Sequence, residues 1–352
     1  MEKIISYILN PFKIFRVLFN KIYYFYRDGK LVAEDSRHNN NVPLNKPFIL
    51  IVREHGFRYN QHFLNWVSEK YPQTFQNIYL GRIPGNLPPF DKVFLLIPWF
   101  QDPLRERNPE LFALARNIED KLAQKNVAII NPVSSLSSAI KSSALKLLRE
   151  QGFRCARVAA IDDPLRFNPE VSGLHFPFII RGDIGHGSTT YLIRQPSELK
   201  GVAWKKLNHP VAIEFINVIS SDGYYRKYRM MVIGEICLPR HLLISKDWNI
   251  HLRQRTLEAW ALKEEREFLE KPHEKISQQL VKARRLLGFD IVAFDYGIDQ
   301  NGEMIIWEPN PFPLFWISRN ETLYSQNDQY AIEKIYETLF QYYLKRSGIN
   351  NQ

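Results

Sequence analysis

Three oxygen-bearing side chains near the C-terminus have the types and the spacing of a divalent-cation site. They lie in the segment DIVAFDYGIDQNGEMIIWEPNPFPLF, where the Asn-Gly pair of DQNG predicts a hairpin between two apolar strands. Asp295 falls on the first strand, and Glu308 and Asn310 share one face of the second because side chains alternate along a strand. Cross-strand neighbours lie about 5 Å apart, so the two carboxylates could share an ion. Such ligands suit Mg2+ that also holds phosphate oxygens, although solvated polar residues at a strand end make this pattern more often.

A glycine-rich segment with a cation before it indicates phosphate binding. In IIRGDIGHGST, Arg181 ends an apolar strand and is followed by Gly182, Gly185 and Gly187. The backbone N–H groups of such a loop can surround phosphates while the cation pairs with their charge. The segment matches neither a P-loop nor the dinucleotide fingerprint, and a flexible hairpin turn is the alternative.

Other segments supply cations and a strand edge. VAIEFINV offers a backbone edge that could pair with an adenine ring, and Arg229 and Arg240 lie on the strands that follow. After the first predicted strand, REHGFRYNQH carries Arg53, His55 and Arg58. These could face a substrate carboxylate, but an exposed basic turn is the more common explanation.

In their order along the chain, five segments resemble the ATP-grasp superfamily of ATP-dependent carboxylate–amine ligases, in particular its RimK-like and glutathione synthetase-like members. The segments are NPVSSLSSAIKSSALKLLREQGF, FPFIIRGDIGHGS, AIEFI, YRKYRMMVIGE and FDYGIDQNGEMIIWEPNPFP. The resemblance covers about residues 131–314 and follows an N-terminal α/β lobe, as is usual in these ligases. The order of all five is more specific than any one of them.

The resemblance implies a role for residues in each segment. It implies that ATP is bound by Lys141, Arg181, Gly182, Asp183, Gly185, His186, Gly187, Ser188, Glu214, Phe215, Ile216 and Asp222. It implies that Mg2+ is held by Asp295, Glu308 and Asn310, and that Arg229 and Arg240 are the catalytic cations.

Three positions depart from the family pattern. Arg181 replaces the usual lysine, which keeps the charge but changes its geometry. Ala293 and Phe294 stand where several members have a basic residue before the first metal ligand. The acid that binds ribose has no clean match, and Asp222 is a candidate.

The resemblance also implies the reaction and its partners. ATP would be used with two Mg2+ ions, for which Mn2+ is an acceptable substitute, and would phosphorylate a small-molecule or peptide carboxylate. An amine, or another nucleophile, would then displace phosphate from the acylphosphate. No protein nucleophile is needed, and neither a G-x-S-x-G elbow nor a Cys–His arrangement stands out. The alternatives are a kinase-like protein or an ATP-grasp protein that binds ATP without turnover. A nucleic-acid binder is suggested only by charge and aromatic content, and it is not expected.

The order of the strands and helices that the sequence pattern indicates predicts an α/β protein with α+β lobes. Unbroken apolar strands that alternate with helices predict a parallel α/β domain at residues 46–132. The resemblance implies an ATP-grasp domain at 133–320, with subdomains at 133–213 and 214–320. Residues 321–352 are predicted to form a C-terminal helix.

The N-terminal residues and the composition bear on location. Residues 1–45 comprise a basic, aromatic segment with an amphipathic helix pattern, followed by a polar linker, EDSRHNNNVPLNKP. Residues 3–27 could lie on a membrane surface or pack on the protein itself. The net charge of +10 favours anionic partners, and two cysteines suit a reducing cytoplasm, with contact at the inner membrane face as an option. The sequence leaves open whether the chain forms a homo-oligomer.

Overall fold

The first sheet is parallel, as the alternation of strands and helices predicts. The computed structural model describes residues 29–54, 60–85, 87–101, 103–183, 189–313 and 323–349. The strands of this sheet are β1 (Phe48–Glu54), β2 (Ile78–Ile83), β3 (Val93–Trp99) and β4 (Ala128–Ile129), in the order β2-β1-β3-β4. The helices around it are α1 (29–39), α2 (Gln61–Lys70), α3 (Pro72–Phe75), α4 (Leu104–Arg107) and α5 (Pro109–Ala123). β1 reads FILIVRE and is buried along nearly its whole length, which is typical of a strand covered on both faces.

The second sheet is antiparallel and carries the predicted metal hairpin. Its strands are β9 (Tyr225–Ile233), β10 (Ile236–Ser245), β11 (Ile291–Ile298) and β12 (Met304–Asn310), in the order β10-β9-β11-β12. Helices α7 (Ala259–Glu270) and α8 (Glu274–Leu287) pack on one face. The C-terminal helix α9 (Leu323–Ser347) packs on the other face, between this sheet and the first one.

The third sheet is smaller and has its own core. It is antiparallel, in the order β5-β8-β6-β7, and comprises β5 (Val158–Ala160), β6 (Phe178–Gly182), β7 (Tyr191–Ile193) and β8 (Pro210–Glu214). Its core is a separate cluster of buried side chains that includes Leu174, Ile180 and Leu207. A 3-10 segment, Val133–Ala139, and helix α6 (Lys141–Glu150) join the first sheet to the other two. The α/β fold class is confirmed.

Period-2 alternation explains how one face of the second sheet serves two purposes. On β9, Met231 and Ile233 contribute to the core beneath α9, whereas Lys227 and Arg229 lie on the same face nearer the start of the strand. The residues between them, such as Met230, point to the opposite core against α7 and α8. The charged residues therefore begin where the packing of α9 ends.

The N-terminal segment departs from the predicted linker. Residues 34–39 belong to α1, and this helix is packed on the first sheet. Asp35 Oδ2 lies 2.6 Å from both the Arg53 and the Arg82 guanidinium groups, and all three side chains are buried. Asn39 donates to the carbonyl of Leu80 and accepts from its N–H, both at 2.9 Å, on the edge strand β2. Arg53 does face a carboxylate, but that carboxylate belongs to the protein.

The predicted surface helix at 3–27 lies outside the described residues, as do His55 and Arg58. Across the portion of the chain that the structure describes, no helix combines the length and apolarity needed to cross a bilayer.

Asn131 connects the first sheet to the hairpin formed by β11 and β12, which we call the metal hairpin. Its side-chain oxygen accepts from the N–H groups of Asp290 (2.8 Å) and Ile291 (3.0 Å), where β11 begins. Its amide nitrogen donates to the carbonyls of Ile291 (2.6 Å) and Pro311 (3.0 Å), just after β12. Asn131 is buried and has a φ of 48°, a left-handed conformation that asparagine tolerates better than most residues. One side chain thus satisfies four backbone groups on both strands of the hairpin.

Glu119 is a buried acid at the same junction, and we expect it to make stability depend on pH. Its carboxylate accepts from Val133 N–H (2.6 Å) and pairs with Arg116 (3.0 Å), but burial raises its pKa to about 7. The folded protein therefore holds a proton that the unfolded chain releases near pH 4.5. Its contribution to stability should fall by about 3 kcal/mol as the pH rises between these two values, and then level off.

The measurement is urea unfolding of the wild type and Glu119→Gln at several pH values from 5 to 8. The glutamine keeps an acceptor for Val133 but cannot titrate, so the stability of the wild type relative to the variant should decline with pH. Asp120→Asn, at an exposed carboxylate on the same Arg116, is the matched control. A difference between wild type and Glu119→Gln that stays constant with pH would contradict the expectation.

Candidate nucleotide and metal site

The hairpin brings the predicted metal ligands together. In the register of β11 and β12, Asp295 is opposite Glu308 and Ala293 is opposite Asn310. The register shifts between Asp295 and Tyr296, so that Trp307 is the extra residue of a bulge. Asn310 lies at the end of β12, where its side-chain oxygen accepts from Phe312 N–H (3.0 Å). Two carboxylates and an amide oxygen at one strand end are a donor set that fits Mg2+.

Each carboxylate is paired with cations. Asp295 accepts two hydrogen bonds from the Arg229 guanidinium, at 2.5 and 2.8 Å, and its Oδ2 lies 3.5 Å from Lys227 Nζ. Glu308 Oε2 accepts from Lys141 Nζ at 2.6 Å and lies 3.9 Å from Arg181 Nη1. Four cations therefore surround the two carboxylates, which leaves this part of the site positively charged without any ligand.

These contacts determine the protonation of the two acids. The charge of Lys141 holds the pKa of Glu308 at about 2, against the effect of burial. Burial alone would raise the pKa of Asp295, but Arg229 and Lys227 outweigh it and hold that pKa well below its usual range. Both groups are thus carboxylates at any physiological pH, which is the form that binds a metal ion.

The register places a row of polar side chains across all four strands of the second sheet. His241 on β10 is opposite Arg229 on β9, which is opposite Asp295 on β11, which is opposite Glu308 on β12. Burial and the neighbouring cations, Arg229 first among them, place the pKa of His241 well below its usual value. His241 is therefore a neutral end to the row.

A cavity of about 410 Å3 opens beside this row. Its charged lining comprises Lys141, Arg181, Asp183, Glu214, Lys227, Arg229, Asp295 and Glu308. Its apolar lining includes Leu145, Ala156, Ile179, Ile213, Ile216 and Ile250. The cavity therefore combines apolar side chains with a cluster of charged groups.

Glu214 is the last residue of β8, Phe215 and Ile216 follow it, and all three line the cavity. The Glu214 carboxylate, however, accepts from the backbone N–H of Arg157 (2.9 Å) and lies 3.6 Å from Arg149. The backbone of residues 215 and 216 is therefore better placed than this carboxylate to pair with a base.

Asp183 lines the cavity but is used as a helix cap. Its carboxylate accepts from Ser142 N–H (3.0 Å) and Ser142 Oγ (2.5 Å) at the start of α6. This contact neutralises donors at the helix N-terminus and positions the neighbouring Lys141. Gly182 is the last residue of β6, whereas Gly185, His186, Gly187 and Ser188 lie outside the described residues.

The structure does not bring two of the predicted residues to the cavity. Arg240 is nearly buried and pairs with Asp328 of α9 at 2.6 Å. It is the additional residue of a register shift between Pro239 and His241, which directs it to α9. Asp222 is held by Arg226, at 2.7 and 3.1 Å, and does not line the cavity. We therefore do not assign Arg240 or Asp222 to this site.

Three lining residues were missed by the sequence analysis. Lys227 could have been found, because it lies two residues before Arg229 on the same strand and so on the same face. Trp248 and His251 lie in the connection after β10, and Trp248 packs edge-on against Phe215. No local pattern marks these two, since only the tertiary fold brings their loop to the cavity.

Comparisons with known proteins identify the fold. No family model and no curated protein sequence matches the chain. Among solved structures, PsnB, an ATP-grasp ligase complexed with a minimal precursor, aligns with a TM-score of 0.55 at 16% identity over 85% of this chain and 99% of its own. D-alanine–D-alanine ligase from Bacillus anthracis, complexed with ATP, gives 0.53 at 12% over 87% and 100%. The macrocyclase MdnC from Microcystis aeruginosa, bound to its precursor peptide MdnA, gives 0.53 at 14% over 82% and 98%. At these identities the likeness establishes the fold.

Proposed function

We propose that this chain, which has the ATP-grasp fold, is an ATP-dependent ligase that joins a carboxylate to an amine through an acylphosphate. The observation that carries the proposal is the pairing of Asp295 with Glu308 on the wall of a cavity whose other charged residues are largely cations. Apolar side chains that suit a base, cations that suit phosphates and a metal donor set line one cavity, which supports the proposal.

Asp295, Glu308 and Asn310 would hold Mg2+, which would neutralise charge on the transferred phosphoryl group. With both carboxylates engaged by such an ion, Lys141 and Arg229 would lose these partners and would be available to phosphate oxygens. Arg181, which lies 3.9 Å from Glu308, and Lys227, which lies 3.5 Å from Asp295, would add further positive charge. The apolar residues around Ile213 and Ile216 would take the adenine ring, and the backbone beside them would pair with its edge.

The bonds formed and broken balance in both steps, and a proton of the amine is the one group left to place. A carboxylate oxygen attacks the γ-phosphorus of ATP, and ADP leaves with the electron pair of the broken P–O bond. The amine nitrogen then attacks the acyl carbon, a C–N bond forms, and phosphate leaves with the electron pair of the C–O bond. Arg229 would contact the developing charge in both steps because it lies beside the metal donors. The amine must lose a proton, which neither the paired carboxylates nor their cations are suited to accept.

The substrates are proposed to be a small molecule or a peptide. The similar structures include one complexed with a minimal precursor and one bound to a precursor peptide, so a peptide acceptor is given equal weight with amino acids. The alternatives are an ATP-grasp protein that binds nucleotide without turnover and one with kinase-like chemistry.

The test is a screen for ADP release and hydroxamate formation. The protein is incubated with Mg-ATP, hydroxylamine and pools of amino acids, short peptides or sugar acids. A carboxylate that is activated as an acylphosphate gives a coloured ferric hydroxamate together with stoichiometric ADP. Nucleotide binding without ADP release from any pool would favour the inactive alternative, and ADP release with a stable phosphorylated product and no hydroxamate would favour kinase chemistry.

Metal and nucleotide are expected to bind cooperatively. Mg2+ alone must displace Lys141 and Arg229 from the carboxylates, and ATP alone must draw the same two cations away from them. Each ligand removes the obstacle to the other, and such coupling commonly changes affinity by about 5- to 150-fold in each direction. The measurement is calorimetric titration with a non-hydrolysable ATP analogue, in Mg2+ and in EDTA.

Lys141→Met tests the part of this coupling that comes from the contact between Lys141 and Glu308. Loss of the ammonium group frees Glu308, so Mg2+ alone should bind more tightly to this variant while the nucleotide binds more weakly. Lys146→Met, on the same helix but outside the cavity, is the control. Equal affinity for the nucleotide in Mg2+ and in EDTA would contradict the coupling.

A further inference from the structure

His251 is a titratable side chain that the proposed reaction has not used. Of the histidines in the described portion of the chain, it is the one that lines the cavity. Three others are committed elsewhere: His38 is bonded to the carbonyl of Ile78, His273 packs against the rings of Tyr228 and Phe268, and His241 lies at the end of the polar row. His251 lies between the cavity and solvent, and its side chain is exposed.

The charges that face His251 favour its neutral form. Partial burial lowers its pKa first, and the nearby cations Lys227 and Arg181 lower it further. Asp247 and Glu308 act in the opposite direction but do not prevail. The imidazole therefore has a free lone pair at neutral pH, and it lines the same cavity as the cations that would surround the acylphosphate.

We propose that His251 is the general base that takes the proton from the attacking amine, an inference that rests on the proposed ligase function. The ammonium form of the amine first gives one proton to the unprotonated imidazole nitrogen, and the neutral amine nitrogen then forms its bond to the acyl carbon. Phosphate leaves with the electron pair of the C–O bond and takes the second proton that the nitrogen loses. Since His251 is exposed at the cavity mouth, the imidazolium returns the proton to water, and no other acid or base is needed.

The surroundings of His251 also select the form in which an amine can approach. The cations that keep the imidazole neutral repel an ammonium ion by the same Coulombic interaction. An amine that reaches the acylphosphate must therefore shed its proton at the cavity mouth. His251 is in the right location to accept it, because Lys227 and Arg181, which face it, also face the carboxylates of the metal site.

Reactions with two small nucleophiles distinguish a general base at His251 from a residue that only shapes the cavity. Hydroxylamine is largely neutral at pH 7.5, whereas ammonia is largely protonated, and the two are similar in size. The probe reactions use Mg-ATP and the carboxylate pool that gives hydroxamate. In His251→Gln, amide formation from ammonium chloride should fall by about 10^2-fold or more, within the range found for general bases. Hydroxamate formation should remain near the wild-type rate, and the pH profile with ammonia should shift to higher pH.

His175→Gln is the matched control, since His175 is exposed and does not line the cavity. Equal loss of both reactions in His251→Gln would make His251 a binding or structural residue and would overturn the inference. Unchanged rates with both nucleophiles would overturn it as well.

A second measurement does not require turnover. In protein with isotope-labelled histidine, the resonance that disappears in His251→Gln is followed against pH by NMR. It should titrate below the usual histidine value of 6.5. Titration at or above that value would overturn the inference even if ligase activity is found. If the wild type forms no hydroxamate with any pool, the proposed function fails, and the NMR titration still decides whether His251 is held neutral.

Discussion

Replacing Glu308 with glutamine is expected to abolish Mg-ATP turnover. The variant keeps the shape of the side chain and removes the charge that would hold the metal opposite Asp295. It also leaves Lys141 without its 2.6 Å partner, so the ammonium group remains close to the place of the metal. Metal-based charge stabilisation is worth several kcal/mol and each 1.36 kcal/mol is tenfold in rate, so we expect a loss of about 10^3-fold or more.

The measurement is ADP release under the conditions of the carboxylate screen, with nucleotide binding followed in parallel. Glu303→Gln is the control, because Glu303 is an exposed carboxylate beside the same hairpin turn and does not line the cavity. Unchanged turnover in Glu308→Gln would remove Glu308 from the metal site. Loss of turnover with nucleotide affinity in EDTA unchanged would assign the defect to the metal.

The largest effect on stability is expected from Asn131→Ala. The substitution leaves two backbone N–H groups and two carbonyls without their partner, at the junction of the first sheet and the hairpin. A buried polar group left unsatisfied costs about 1–3 kcal/mol, and water can reach part of the space that the side chain vacates. We therefore expect a loss of roughly 3–5 kcal/mol in the free energy of unfolding, measured by urea denaturation.

Two variants test the origin of this loss. Asn126→Ala removes an exposed asparagine that also has a left-handed backbone, with a φ of 58°, and so measures the conformational cost alone. Asn131→Asp keeps the acceptor for Asp290 and Ile291 but removes the donor, and it should be intermediate at low pH. A loss in Asn131→Ala no larger than that in Asn126→Ala would show that the four hydrogen bonds contribute little.

The parts of this fold that are predictable from the sequence are those with a local period. Alternation along β12 and the Asn-Gly turn are sufficient to predict the face and the approximate pairing of Glu308 with Asp295. The parallel first sheet follows from unbroken apolar strands. The helix at residues 34–39 is not predictable in this way. Asp35 and Asn39 are polar residues whose partners lie far along the chain, at Arg53, Arg82 and Leu80.

The misplaced residues have physical explanations. Arg240 looks like an active-site cation because it follows Arg229 on an adjacent strand, but a single bulged residue turns it toward Asp328. Asp183 looks like part of a phosphate loop, whereas its carboxylate finds unsatisfied donors at the start of α6. In each case the partner is distant in sequence, and a one-residue change in register or a helix terminus decides the outcome.

The third sheet has a consequence for how product would leave. The first and second sheets share the core beneath α9 and are tied by Asn131, so they should behave as one block. The third sheet has a separate core on one face, and its other face joins α6 through Val211 and Ile213 and through the pair formed by Asp183 and Ser142. We therefore expect ADP exchange to require only a tilt of this small sheet, with the metal hairpin kept assembled from one catalytic cycle to the next.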